Sequence, residues 1–260
     1  MGVMSVPYRL KCAETWAGNE GTSSVADLPG LRVWVYSTPF GPGEAGGDVH
    51  YVSVCPECTV SRIALADVSG HGRAVVALSA TLRELMQKYL AALEQASLMR
   101  DLNDAVQTEL DGVHYATMVA VGFHAHRGLL VMTNAGHPPA FWYRAQRDEW
   151  AWFEPREGGS GVRGTPLGLL PNAAYDRTIV RASPGDLIVL YSDGISEATN
   201  PAGEELGRDR LMTLARALDR VSAETFGGQL VEAISEFRGG SVPEDDQTII
   251  VLQVLPDHAS

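Results

Sequence analysis

The sequence predicts an α+β fold of two antiparallel β-sheets packed together, with helices outside. Three observations carry this. Apolar stretches of strand length come in pairs joined by short turns, so hairpins dominate and there is no regular βαβ alternation. Two such β-rich blocks bracket a pair of helical patterns, and a second helical pair precedes the last strand. The chain of 260 residues, 45% hydrophobic and 20% charged, is long enough for one large core.

Residues 1–30 read as an N-terminal extension, with Gly18-Asn19-Glu20-Gly21-Thr22-Ser23-Ser24 as loop. The main domain is expected over 31–255, with 256–260 as a tail. Residues 31–36 alternate in apolar character and read as a strand. Residues 49–54 and 62–68 form a predicted hairpin around Cys55-Pro56-Glu57-Cys58. After Gly72, apolar residues recur at spacings of three and four through Leu93, and again over 98–110, predicting two amphipathic helices. Further hairpins are expected from 116–123 with 129–133, and from 141–143 with 150–153. The run 187–191 is continuously apolar, as in a strand buried on both faces. Helices over 207–218 and 223–237 follow, the second weakened by Gly227-Gly228, and a strand over 248–254 ends the domain.

The hairpins place chemistry at one edge. Asp48 precedes one strand of a hairpin and Asp67 ends the other, so the two carboxylates meet opposite the turn. If strand 187–191 pairs antiparallel with 248–254, Asp193 falls beside Asp245 by the same logic. Two bare carboxylates ~4 Å apart repel by about 4 kcal/mol at an effective dielectric near 20, so a converging set either takes up protons or binds cations. All-oxygen ligation without His or Cys beside these positions favours Mg²⁺ or Mn²⁺ over Zn²⁺. Two such ions can activate a water for in-line attack at phosphorus.

The formal net charge of −12 argues against a nucleic-acid surface. No run of eighteen apolar residues is present and residues 1–10 lack a secretory pattern, so no membrane association is expected and the cytoplasm is the default. Three cysteines, an odd number, do not suggest a disulfide framework. Cys55 and Cys58 have the spacing of a zinc half-site or redox pair, but read as a plain turn. Gly159-Ser160-Gly161-Val162-Arg163-Gly164 matches a dinucleotide fingerprint in letters only, because Thr165-Pro166 precludes the helix it needs. The aromatics between Trp142 and Trp152 read as hairpin packing.

Gly46-Gly47-Asp48, Asp67-Val68-Ser69-Gly70-His71-Gly72, Asn134-Ala135-Gly136-His137-Pro138, Tyr191-Ser192-Asp193-Gly194 through Glu197, and Asp245-Asp246-Gln247-Thr248 stand in that order. On these motifs the chain resembles the metal-dependent protein serine/threonine phosphatases (PPM, type 2C), in the bacterial branch named after stage II sporulation protein E. The resemblance spans about residues 31–255. It implies a sandwich with two Mn²⁺ or Mg²⁺ at one edge and no organic cofactor. Asp67 would bridge both metals, Val68 would offer its backbone carbonyl, and Asp48, Asp193 and Asp245 would complete the ligands. Asp246 would orient ligands without touching a metal, and Glu197 stands where relatives place an acid near a weaker third ion. Ser69 replaces the His of the eukaryotic branch. His71 is a candidate for contacting the leaving group or solvent, beside a purely structural reading, and Arg73 is a weak candidate for phosphate. His137 is expected to be a buried structural residue.

The resemblance implies hydrolysis of phosphoserine or phosphothreonine on a protein, the usual substrate in that branch being an anti-anti-sigma factor. The alternative is a phosphatase-like partner-switching scaffold without turnover. With about thirty residues ahead of the first expected strand, regulation is expected from a protein in trans, by oligomerisation, or not at all.

Overall fold

The computed structural model describes residues 8–40, 45–55, 57–70, 73–90, 95–109, 114–153 and 164–256. Thirteen strands are assigned among them: β1 (Tyr8–Arg9), β2 (Thr15–Glu20), β3 (Thr22–Leu28), β4 (Leu31–Thr38), β5 (Ala45–Val54), β6 (Val60–Val68), β7 (Ala116–His124), β8 (Leu129–Ala135), β9 (Phe141–Arg144), β10 (Glu149–Trp152), β11 (Arg177–Arg181), β12 (Leu187–Tyr191) and β13 (Gln247–Val254). The helices are α1 (Arg73–Leu90), α2 (Gln95–Glu109), α3 (Asp193–Ser196), α4 (Gly207–Ala217) and α5 (Ala223–Phe237). One sheet has the order β1-β3-β4-β13-β12-β9-β10 and the other β11-β8-β7-β6-β5-β2.

The two-residue period of a strand sorts side chains between layers. Ile63 and Leu65 of β6 face the space between the sheets with Val33, Val35, Val121, Ile188, Leu190, Ile250 and Leu252. Ala64, Ala66 and Val68 face the other way, under Leu82 and Met86 of α1 and Leu98 and Leu102 of α2. On the opposite sheet, Trp34, Val189 and Val251 turn outward beneath Leu211 of α4 and Phe226, Leu230 and Ile234 of α5. The predicted layering of helix, sheet, sheet and helix is therefore present.

Two expectations are corrected. Residues 18–24, read as loop, lie in β2 and β3 apart from Gly21, which joins them, and these strands pair with β5 and β4. Gly, Asn, Ser and Asp there have poor strand propensity, and tertiary pairing overrides it. The cysteine arithmetic also fails, because Cys12 is bonded to Cys58 with Cα atoms 5.1 Å apart, leaving Cys55 free. Distant chain segments supply that pair, so local spacing did not reveal it. The fingerprint-like glycines lie largely outside the described residues. The aromatic hairpin is packing, as expected: Trp150 stacks on Phe226 at 5.3 Å and lies 5.4 Å from Phe141.

Gly227 and Gly228 carry opposite meanings. A Cβ on Gly227 would collide with the Trp34 ring, whereas one on Gly228 would meet open space. Gly228→Ala should stabilise the protein by about 1 kcal/mol through helix propensity, and Gly227→Ala should cost about 1–3 kcal/mol as overpacking. Denaturant unfolding of the two variants checks this, and equal effects would contradict it.

Candidate metal centre

The layer between the sheets is apolar through most of its depth and turns polar at one end. Following each strand along its inward-facing positions, Leu65 gives way to Asp67, Val35 to Ser37, Val119 to Thr117, Leu190 to Ser192, and Ile250 to Thr248. On β5, Val52 is followed toward the same end by His50 and then Asp48. Backbone register fixes the meeting of the acids. Asp48 is paired with Asp67, which is paired on its other side with Thr117. In the second sheet, Tyr191 pairs with Ile249 and the Ser192 amide donates to the Thr248 carbonyl at 3.0 Å, which brings Asp193 to the acidic segment leading into β13.

Glycines make the close approach possible. A Cβ on Gly47 would lie 3.2 Å from Asp67 Oδ1 and 3.4 Å from Asp246 Oδ2, so both carboxylates crowd this residue. A Cβ on Gly46 would strike the Asp246 carboxylate, and one on Gly194 would strike the Asp246 carbonyl and sit 3.2 Å from Asp245 Cβ. Gly70 adopts φ +106°, the left-handed region that the sequence anticipated for this turn. Gly72 and His71 lie outside the described residues, as does the Arg73 side chain.

The acids form a gradient of burial, from Asp48 at 3% exposure through half-buried Asp67 and Asp193 to exposed Asp245 and Glu197. Burial first, and then the neighbouring Asp67, pushes the Asp48 carboxyl well above the usual range, although the Thr248 and Ser192 hydroxyls oppose this. Among the described residues, its buried Oδ2 has no hydrogen-bond partner. Burial, followed by the charges of Asp193, Asp245, Asp246 and Glu197, raises Asp67 to about 8. Asp193 is raised chiefly by burial, against the Gly194 amide that donates to its Oδ1 at 2.9 Å. Glu197 is raised by burial and then by Asp193, Glu205 and Asp245. Acids drawn from both sheets therefore feel one another strongly.

An orphaned carboxylate oxygen and mutually repelling acids are what a divalent cation relieves, so the residues fit Mn²⁺ or Mg²⁺. Among the described residues, no three acidic, His or Cys side chains are gathered closely enough to enclose an ion as they stand. Asp193 and Asp245 instead accept from the amides of their own next residues, at 2.9 and 2.8 Å. Val68 ends β6 opposite Ala116 and is buried, next to Asp67. A groove of about 170 Å³ opens beside Asp245, lined by Glu197, Arg238, Val242 and Glu244 among others.

Asp246 has a distinct task. Its carboxylate accepts from the backbone amides of Phe40 at 2.5 Å, of Gly47, and of Asp48 at 3.4 Å. It thus fastens the start of β13 in one sheet to the start of β5 in the other and sets the height of Asp48. The sequence suggested an orienting role without showing that the oriented group is backbone. Ser192 and Thr248 were not singled out. The Thr248 amide donates to Ser192 Oγ at 2.9 Å, and the Thr248 and Ser37 hydroxyls lie 3.0 Å apart. The signal that could have found them is the break in inward-facing apolar periodicity beside each acid.

His137 and Ser69 are held in structural roles. Thr117 Oγ1 and His137 Nδ1 lie 2.8 Å apart, Asn134 bonds both the amide and the carbonyl of His137 at 2.9 Å, and burial lowers the imidazole to about 3. Such a group stays neutral and is no base at neutral pH. Ser69 is tied to Tyr115 through both backbone and hydroxyl. The cysteine turn is remote. Val54 pairs with Ser61 beside it, six residues along β5 from the Asp48–Asp67 pair, or about 20 Å at 3.3 Å per residue.

The family model described as Stage II sporulation protein E (SpoIIE) matches residues 59–255. The chain belongs to the SpoIIE family. Phosphoserine phosphatase RsbU of Bacillus subtilis is 27% identical over 198 residues, covering 74% of this chain and 55% of RsbU. The chain thus spans about half the length of that relative. Among solved structures, the PP2C phosphatase domain of SpoIIE from Bacillus subtilis, determined with a fragment of its regulatory domain, superposes with a TM-score of 0.70 at 17% identity. That match covers 94% of this chain and 64% of the other. The catalytic domain of the serine/threonine phosphatase PstP, solved with two manganese ions, gives a TM-score of 0.61 at 15% identity over 87% and 99% of the two chains. The SpoIIE-family domain therefore shares the PP2C fold. Among its described residues, no helix is long and apolar enough to cross a membrane.

Proposed function

We propose that the chain is a metal-dependent protein serine/threonine phosphatase. The observation that carries this reading is the convergence of Asp48 and Asp67 from one sheet with Asp193 and Asp245 from the other. Family membership and the likeness to a named phosphoserine phosphatase support it. Asp48, Asp67, the Val68 carbonyl, Asp193 and Asp245 would hold two Mn²⁺ or Mg²⁺ ions, with Asp67 shared between them. Bound ions of this kind supply a water of lowered pKa and shield the charge of the phosphoryl group.

The chain's own contribution is placement. Asp67 and Asp48 are fixed by neighbouring strands of one sheet, Asp193 by the first turn of α3 and Asp245 by the entry to β13. Asp246 holds the two sheets at the spacing this set requires. Exposed Asp245 and Glu197 leave the outer side open, which suits a phosphorylated side chain presented by a protein rather than a substrate enclosed in a cavity. The proposed substrate is a phosphorylated regulatory protein of the anti-anti-sigma-factor type, and regulation would come from a partner protein. The test is phosphate release from such a protein and from phosphoserine peptides, with Mn²⁺ or chelator. Metal-dependent release supports the reading. Binding without turnover in saturating Mn²⁺ would overturn it in favour of a partner-switching scaffold.

A further inference from the structure

Three cysteines gather at the end of the sandwich opposite the acids. Cys12 lies just before β2 and is bonded to Cys58, in the turn joining β5 to β6. Cys55 is the free thiol of the same turn. The Cys58 amide donates to the Cys55 carbonyl at 2.9 Å, so the two cysteines are the first and fourth residues of a hydrogen-bonded turn. Such residues have Cα atoms less than about 7 Å apart, and a disulfide spans roughly 4.4–6.8 Å. Cys58 is therefore within reach of Cys55 as well as of Cys12.

The surroundings of Cys55 suit a nucleophile. The Val60 amide donates to its sulfur at 3.2 Å, and the Thr59 hydroxyl lies 3.5 Å away. Burial opposes the thiolate, but the Thr59 hydroxyl and the backbone amides of Val60, Thr59 and Glu57 outweigh it and hold the thiol below its ordinary pKa. The residue is part-exposed. A thiolate stabilised by donors and adjacent to a disulfide is the reactant pair for exchange.

We propose that Cys12, Cys55 and Cys58 form a thiol–disulfide exchange site, in which Cys55 displaces Cys12 from Cys58. Cys55 gives its proton to solvent and attacks Cys58 Sγ. The Cys55–Cys58 bond forms as the Cys58–Cys12 bond breaks, and Cys12 leaves as a thiolate that takes a proton from water. No electrons are gained or lost, so no external oxidant is needed. The consequence is mechanical. Cys12 pins the chain where it passes from β1 in one sheet to β2 at the edge of the other. After exchange this crossing is held near β5 by the hydrogen bonds of Ala13 and Glu14 to Val54. β2 also reaches the acid end, because Asn19 Nδ2 donates to the Gly46 carbonyl at 3.2 Å. Exchange would thus loosen an edge strand that contacts the start of β5, two residues ahead of Asp48.

The experiment uses the full chain purified without reductant. Free thiols are labelled with iodoacetamide over time, the reaction is quenched in acid, and labels and disulfides are mapped by mass spectrometry. In the wild-type protein, label should enter Cys12 as well as Cys55, and both Cys12–Cys58 and Cys55–Cys58 linkages should be found. In Cys55→Ser, which retains the resting disulfide, labelling of Cys12 should be lost. Cys12→Ser, oxidised with glutathione disulfide, should yield the Cys55–Cys58 linkage. Equal labelling of Cys12 in wild type and Cys55→Ser would overturn the proposal. So would three free thiols in the untreated protein, or stoichiometric zinc released on thiol blocking.

Discussion

Asp67→Asn should reduce turnover by orders of magnitude while raising the melting temperature of the metal-free protein. The substitution keeps the shape of the side chain and removes the charge that both ions would share, and the remaining acids cannot replace a bridging ligand. Its effect on stability follows from linkage. The folded protein holds the Asp67 carboxyl at about 8, above the 3.8 of an unperturbed Asp. Between those values the folded state retains a proton that the unfolded state has lost, so stability falls as pH rises through this window. Asp48, also raised, contributes in the same direction. Metal-free wild type should therefore melt lower at pH 8 than at pH 5, and Asp67→Asn should flatten that slope. Asp246→Asn should be milder, costing roughly ten- to a hundredfold, the usual range for groups that orient ligands. The checks are kcat against Mn²⁺ concentration and melting of the metal-free variants across pH. If Asp246→Asn were the more damaging of the two, the assignment of Asp67 as the bridge would be wrong.

Gly194→Ala should damage both stability and activity, although it adds a single methyl group. The new Cβ would run into the Asp246 carbonyl and press on Asp245 Cβ. α3 would have to lift from β13, breaking the bond from Gln247 Nε2 to the Gly194 carbonyl at 2.8 Å. Overpacking of this kind costs about 1–3 kcal/mol, and the displaced element is the one that carries Asp193. Turnover should fall further than the loss of stability explains, and excess Mn²⁺ should restore part of it. Thermal melting and a metal titration of activity test the two parts separately. Full activity with wild-type melting would show that α3 and β13 are less tightly joined than the geometry indicates.

What the sequence disclosed and what it hid follow from the range of the forces involved. The pairing of Asp48 with Asp67 was legible because a hairpin is local: a short turn and two apolar runs fix which residues face each other. The pairing of β12 with β13 was legible because a continuously apolar run demands a buried strand, and few partners were left for it. β2 and β3 were not legible, since Gly18, Asn19, Ser23 and Ser24 form strand only because β5 and β4 offer them edges. Nor was Cys12 readable as the partner of Cys58, 46 residues away. At the site, the acids stood out as residue types, whereas the work of Gly46, Gly47 and Gly194 depends on close approaches between segments far apart in the chain. Asp246 lies between these cases. Its neighbour Asp245 marked the motif, but only the assembled sandwich reveals that its carboxylate grips the backbone of β5.

The most direct test of the central claim is a calorimetric titration of Mn²⁺ into metal-free wild-type protein and into Asp67→Asn. The carboxylate edge predicts binding of two ions to the wild type, with proton release at pH 7 as the raised acids ionise, and loss of the tight binding in the variant. Absence of Mn²⁺ binding in the wild type, or identical binding in both proteins, would contradict it.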